Sequence, residues 1–79
     1  MILVMKSYTE CVAIAAKEFP YITNEDALVD FLPKKLFGKA HEVVEIEKDG
    51  TDTYYRIQDE DDLYCTWHVD EKFIAEVNA

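Results

Sequence analysis

Carboxylates are the commonest side chains able to do chemistry in this sequence. Asp59-Glu60-Asp61-Asp62 sets four in a row, and Glu45, Glu47, Asp49 and Asp52 follow one another closely upstream. Clustered carboxylates suit a hard divalent cation. The run lacks the alternating Asp/Asn ladder, glycine and distal glutamate of an EF-hand loop. Neighbouring acids on one short turn also diverge. A charged turn that resists aggregation is the simpler reading, with a divalent-cation site as an alternative; no metal or cofactor is expected.

Imidazole and thiol groups are few: His41, His68, Cys11 and Cys65. Cys65-Thr66-Trp67-His68 has the outline of a zinc half-site, but residues three apart on a strand face opposite sides. Cys11 and His41 would complete a ligand count without any paired spacing. Two reduced core thiols in a cytoplasmic protein are the expectation. Neither histidine adjoins a nucleophile motif, and the two glycines, Gly38 and Gly50, cannot build a phosphate-binding loop. Glu45 and Asp52 could face each other across a hairpin. Acid–base work needs unlike environments that separate two pKa values, and an exposed polar face supplies none. An enzyme is not expected.

The charge is lopsided. Residues 1–40 carry five acids and five lysines, whereas residues 41–79 carry twelve acids against Lys48, Arg56 and Lys72, so the whole net charge of −9 lies in the second half. Nucleic-acid affinity comes mainly from Lys and Arg neutralising phosphates, so that half is unsuited to bind nucleic acid directly. An anionic membrane surface is disfavoured for the same reason.

The elements that must position these groups follow from periodicity. The chain of 79 residues, 49% apolar, suffices for one small soluble domain, 1–79, with a modest core. Met1 to Met5 lacks a basic n-region and is too short to cross a bilayer; it reads as a short extra strand. Ser7-Tyr8-Thr9-Glu10 has capping-box spacing, and Tyr8, Cys11, Val12, Ala15 and Phe19 recur at helical intervals until Pro20. Thr23-Asn24-Glu25-Asp26 opens a second helix that Pro33 should break at Leu32. Pro33 to Gly38 reads as one turn closed by glycine.

From His41 the period becomes two. Glu42 to Lys48 and Thr53 to Gln58 flank Asp49-Gly50, a hairpin signal. A third run spans Leu63 to Val69, and Asp70-Glu71 would cap a terminal helix holding Phe73, Ile74 and Val77. The expected fold is α+β, in ααβββα order, with helices on one face of a three-stranded antiparallel sheet. Strict alternation turns Val44, Ile46, Tyr55, Ile57, Leu63, Cys65, Trp67 and Val69 towards the helices. The other face would show Val43, Glu45, Glu47, Asp52, Tyr54, Arg56, Tyr64, Thr66 and His68.

That acidic face, with tyrosines as amphipathic anchors, is the candidate site. Its expected partner-binding residues are Glu45, Glu47, Asp49, Asp52, Tyr54, Asp59, Glu60, Asp61, Asp62 and Tyr64. A solvated sheet face normally mixes both signs, and this one does not. The expected function is an acidic module that docks on a basic, nucleic-acid-binding surface of another protein, as a nucleic-acid mimic or inhibitor. In size and charge this is the general kind of phage-encoded anti-defence and anti-CRISPR proteins and of immunity proteins against toxic nucleases; no family motif assigns any residue. The alternative is a structural module that self-associates through the sheet edge or the Leu36-Phe37 region. A winged-helix DNA binder fits poorly, because the wing, Glu47 to Asp52, is acidic where phosphates would lie.

Overall fold

The computed structural model describes residues 1–78. Strand β1 (Ile2–Met5) leads into helix α1 (Tyr8–Glu18) and a single-turn helix α2 (Glu25–Leu28). A 3-10 turn (Lys34–Leu36) precedes β2 (Ala40–Asp49), β3 (Asp52–Gln58) and β4 (Thr66–Asp70). A second 3-10 turn (Glu71–Phe73) feeds β5 (Ile74–Asn78). The fold is α+β, and the strands form one open antiparallel sheet in the order β4-β3-β2-β1-β5.

The first helix forms as its cap predicts. Ser7 Oγ accepts from the Glu10 N–H at 3.2 Å and donates to Glu10 Oε1 at 3.1 Å. Cys11 and Ala15 are fully buried, flanked by Tyr8, Val12, Ala16 and Phe19. Asn24 Oδ1 caps α2 by accepting from the Asp26 and Ala27 N–H groups. The helix ends at Leu28, earlier than Pro33 would require, because Asp30 and Phe31 take φ of 56° and 58°. That reversal turns Leu28, Val29 and Leu32 inward and leaves Phe31 exposed. Leu36 and Phe37 lie in the core, with the Phe37 ring edge-on to Tyr8 at 5.3 Å.

The sheet has five strands: the expected three, the short N-terminal extra strand as β1, and β5 in place of the expected terminal helix. Asp70 does cap a turn, its Oδ1 accepting from the Lys72 N–H at 3.0 Å. Beyond Phe73 the chain then extends, because β1 offers an open edge that pairs Ile2 with Asn78 and Leu3 with Val77. A free edge with unpaired amides favours a strand over a short isolated helix.

The third strand starts three residues later than alternation suggested. Asp59 N–H bonds the Cys65 carbonyl and Cys65 N–H the Asp62 carbonyl, both at 3.0 Å. Asp62 Oδ1 accepts from the Tyr64 N–H at 2.9 Å, an Asx turn. Residues 59–65 are therefore looped, and Leu63 and Tyr64 lie outside the strand, 81% and 101% exposed. In β2 the register slips between Val43 and Glu45, so Val44 and Glu45 together oppose Arg56. The bulge exchanges two expected positions. Val43 packs against the core and Val44 is exposed.

The link from β4 to β5 dictates the shape of the sheet. Asp70 to Ile74 can span at most about 14 Å, whereas four strand spacings in a flat sheet cover about 19 Å. The sheet must curl. Phe73, with no exposed surface, fills the concave side together with Leu3, Met5, Ile57, Val69 and α1. The Phe73 carbonyl also accepts from the Lys6 N–H at 2.8 Å. The opposite face of the sheet is convex, and among the described residues no helix packs on it.

Candidate functional site: a convex acidic face and a separate acidic turn

The hairpin sets the convex face. Gly50 takes a φ of 61° at the first position of its two-residue loop, a conformation glycine adopts without strain. Pairing of Asp49 with Asp52, Glu47 with Tyr54 and Glu45 with Arg56 puts these six side chains on one side. Strand β4 extends the rows, His68 opposite Arg56 and Asp70 opposite Tyr54.

Two rows result. In the first, Arg56 forms an ion pair with Glu45 and stands beside His68. In the second, Tyr54 lies between Glu47 and Asp70, and Glu47 Oε2 also reaches His68 Nε2 at 3.5 Å. The hairpin end closes on the like-charged pair Asp49 and Asp52, which repel each other. Glu45 thus faces Arg56 and Asp52 faces Asp49, so Glu45 and Asp52 are not the carboxylate pair that the hairpin suggested. Burial, then the negative field of Asp70, Asp52 and Asp30, raises the Tyr54 phenol above its ordinary pKa, with Lys72 opposing. Tyr54 is half-buried and stays neutral among the acids.

The acidic turn lies elsewhere. It follows Gln58, at the far end of β3, about 20 Å from the hairpin loop. Asp59 is turned inward and is only 4% exposed. Its carboxylate accepts from Trp67 Nε1 at 2.9 Å, the Asp61 N–H at 2.8 Å and Lys35 Nζ at 3.0 Å. These three donors, Trp67 first, hold Asp59 down at about 2. Asp59 therefore ties the turn to the body of the protein, with its carboxylate turned away from solvent. Asp61 also bonds Lys35, at 3.1 Å. Glu60 and Asp62 are exposed, and the fully exposed Tyr64 stands beside them.

The ten expected residues thus divide. Glu45, Glu47, Asp49, Asp52 and Tyr54 share the convex face. Glu60, Asp61, Asp62 and Tyr64 form a second exposed group on the turn, with Asp59 beneath them. Sequence reasoning missed Asp70, which alternation from His68 places on the same face and which had been given to a helix cap. It also missed Glu42 and Glu76, which pair with the outward Ile2 and Val4.

The other chemically capable groups are occupied structurally. His41 is buried, and its Nε2–H donates to the Leu36 carbonyl at 2.6 Å. Both cysteines are free thiols. Cys11 is buried in α1, and Cys65 is half-buried just before β4. Burial pushes the Cys11 thiol up to about 11. Among the described residues no three His, Cys, Asp or Glu side chains converge as ligands of one ion would, and no helix is long and apolar enough to cross a membrane.

Comparison of the chain with models of protein families, with curated proteins and with solved structures gave no match.

Proposed function

We propose that this chain is an acidic protein-binding module of the cytoplasm that docks its convex sheet face on a basic, nucleic-acid-binding surface of another protein and so competes with the nucleic acid. One observation carries the reading. Glu45, Glu47, Asp49, Asp52 and Asp70 share a sheet face with Tyr54, and among the described residues Arg56 is the one permanent cation in the paired rows of that face. Convexity supports it, because nucleic-acid channels are concave. Phage anti-defence proteins and nuclease immunity proteins are the functional kinds that this arrangement suits.

Electrostatic steering makes such association fast and salt-sensitive. The test immobilises the chain, loads cell extract at low salt and elutes with a salt gradient or with duplex DNA. Retained proteins should be released by both, and the chain should inhibit their nucleic-acid binding. Asp49→Lys with Asp52→Lys should slow association by about tenfold or more. Retention that ignores salt, or that DNA does not compete, overturns the reading.

A further inference from the structure

Strand β2 is longer than either neighbour can cover. On one side β3 pairs with Val43 to Asp49, but on the other β1 reaches only Ala40 to Glu42. The last main-chain bond on that second side runs from the Val43 N–H to the Met1 carbonyl, at 3.0 Å. Beyond it, residues 44–49 have no neighbouring strand among the described residues. The Asp49–Asp52 closing pair of a two-residue hairpin is hydrogen-bonded across the ladder, and alternate residues follow suit. Asp49, Glu47 and Glu45 therefore direct their main chain to β3, and Ile46 and Lys48 direct theirs to the open side.

Resting on the acidic-face reading above, we propose that this half-edge takes an extended segment of the partner as an added antiparallel strand, with basic and apolar residues alternating. The rows already built in the sheet set the chemistry of that segment. Val69, Tyr55 and Ile46 form an apolar row that stops at Ile46, which is 41% exposed. Rows on the convex side stop at Glu45 and Glu47. An added strand with an apolar residue opposite Ile46 and Lys or Arg opposite Glu45 and Glu47 continues all three rows. Main-chain hydrogen bonds supply affinity, and the alternating side chains supply selectivity. A second copy of this chain fits less well, since its own strands would bring further carboxylates to the same edge.

The probe is a synthetic heptapeptide of alternating Lys and Val with blocked ends, compared with a block peptide of the same composition. Amide exchange at Ile46 and Lys48 should slow on adding the alternating peptide, which should bind at least about tenfold more tightly than the block peptide. Ile46→Pro removes a donor that has no main-chain partner among the described residues, and N-methylation of the peptide removes the matching donors without touching the protein. Each should weaken binding about tenfold, the loss of one or two main-chain hydrogen bonds. Equal binding of the two peptides, or indifference to N-methylation, overturns strand addition. If binding remains salt-sensitive and is lost in Asp49→Lys with Asp52→Lys, the acidic-face reading survives that failure. If charge reversal also has no effect, both fall. Concentration-dependent sedimentation of the free protein that Ile46→Pro abolishes would assign the edge to a second copy and overturn the peptide proposal.

Discussion

Phe73 is the largest fully buried side chain, and it sits in the link that draws the two edges of the sheet together. Phe73→Ala removes most of a phenyl ring from a site with no exposed surface. The lost transfer energy is about 2–3 kcal/mol. The cavity left behind brings the total to about 3–5 kcal/mol, as for other buried aromatic truncations. Folding stability at about 0.05–0.15 kcal/mol per residue gives about 4–12 kcal/mol for a chain of this length. The substitution thus takes a large share of it, and the melting temperature should fall by about 15–30 °C. Phe73→Leu keeps the position apolar and should cost about 1–2 kcal/mol. Urea unfolding followed by far-ultraviolet circular dichroism and by Trp67 fluorescence measures both variants. A loss below about 1 kcal/mol for Phe73→Ala would refute the central role given to this side chain.

Two further outcomes are expected. Asp59 has its pKa depressed from 3.8 to about 2, so it adds stability that is fully present above its unfolded value and is lost as pH falls through the folded one. Acid titration should therefore destabilise the protein between about pH 4 and pH 2 with a change in Trp67 emission, and Asp59→Asn should flatten that limb; an unchanged limb would show that other carboxylates govern it. Iodoacetamide at pH 8 should spare Cys11, whose thiol is buried and raised to about 11, while labelling Cys65. Mass spectrometry reads this, and comparable labelling of Cys11 in the native protein would contradict the packing of α1.

What could be read from the sequence was local. The Ser7 cap, the Asn24 cap and the Asp49-Gly50 hairpin depend on contacts a few residues apart, and each forms where its residues indicate. Elements settled by distant partners were misread. Phe73, Ile74 and Val77 suit a short helix as well as a strand, and the open edge of β1 decides between them. Leu63 and Tyr64 continue the alternation of β4, yet the Asp62 Asx turn takes them out of the ladder. The bulge at Val44 shifts the alternation by one residue, and its register is fixed by pairing with Arg56 across the hairpin. For the candidate site, the convex group from Glu45 to Tyr54 was legible because period-two patterning survives beyond the bulge. The inward role of Asp59 was not, since its partners Lys35 and Trp67 come from separate elements.

The pairing of Ile2 with Asn78 also bears on how the molecule assembles. Strands β2, β3 and β4 contact sequence neighbours and can zip together early. Strand β1 acquires β2 only after α1, α2 and the intervening loops have been closed off, and it acquires β5 only when residues near 78 are in place. Such non-local pairing slows folding, since loop-closure entropy is lost before the contacts compensate for it. During synthesis the outer edge of β1 stays bare until β5 has emerged, a period in which that edge is open to wrong partners. The strand that leads the chain is the last to gain both of its neighbours.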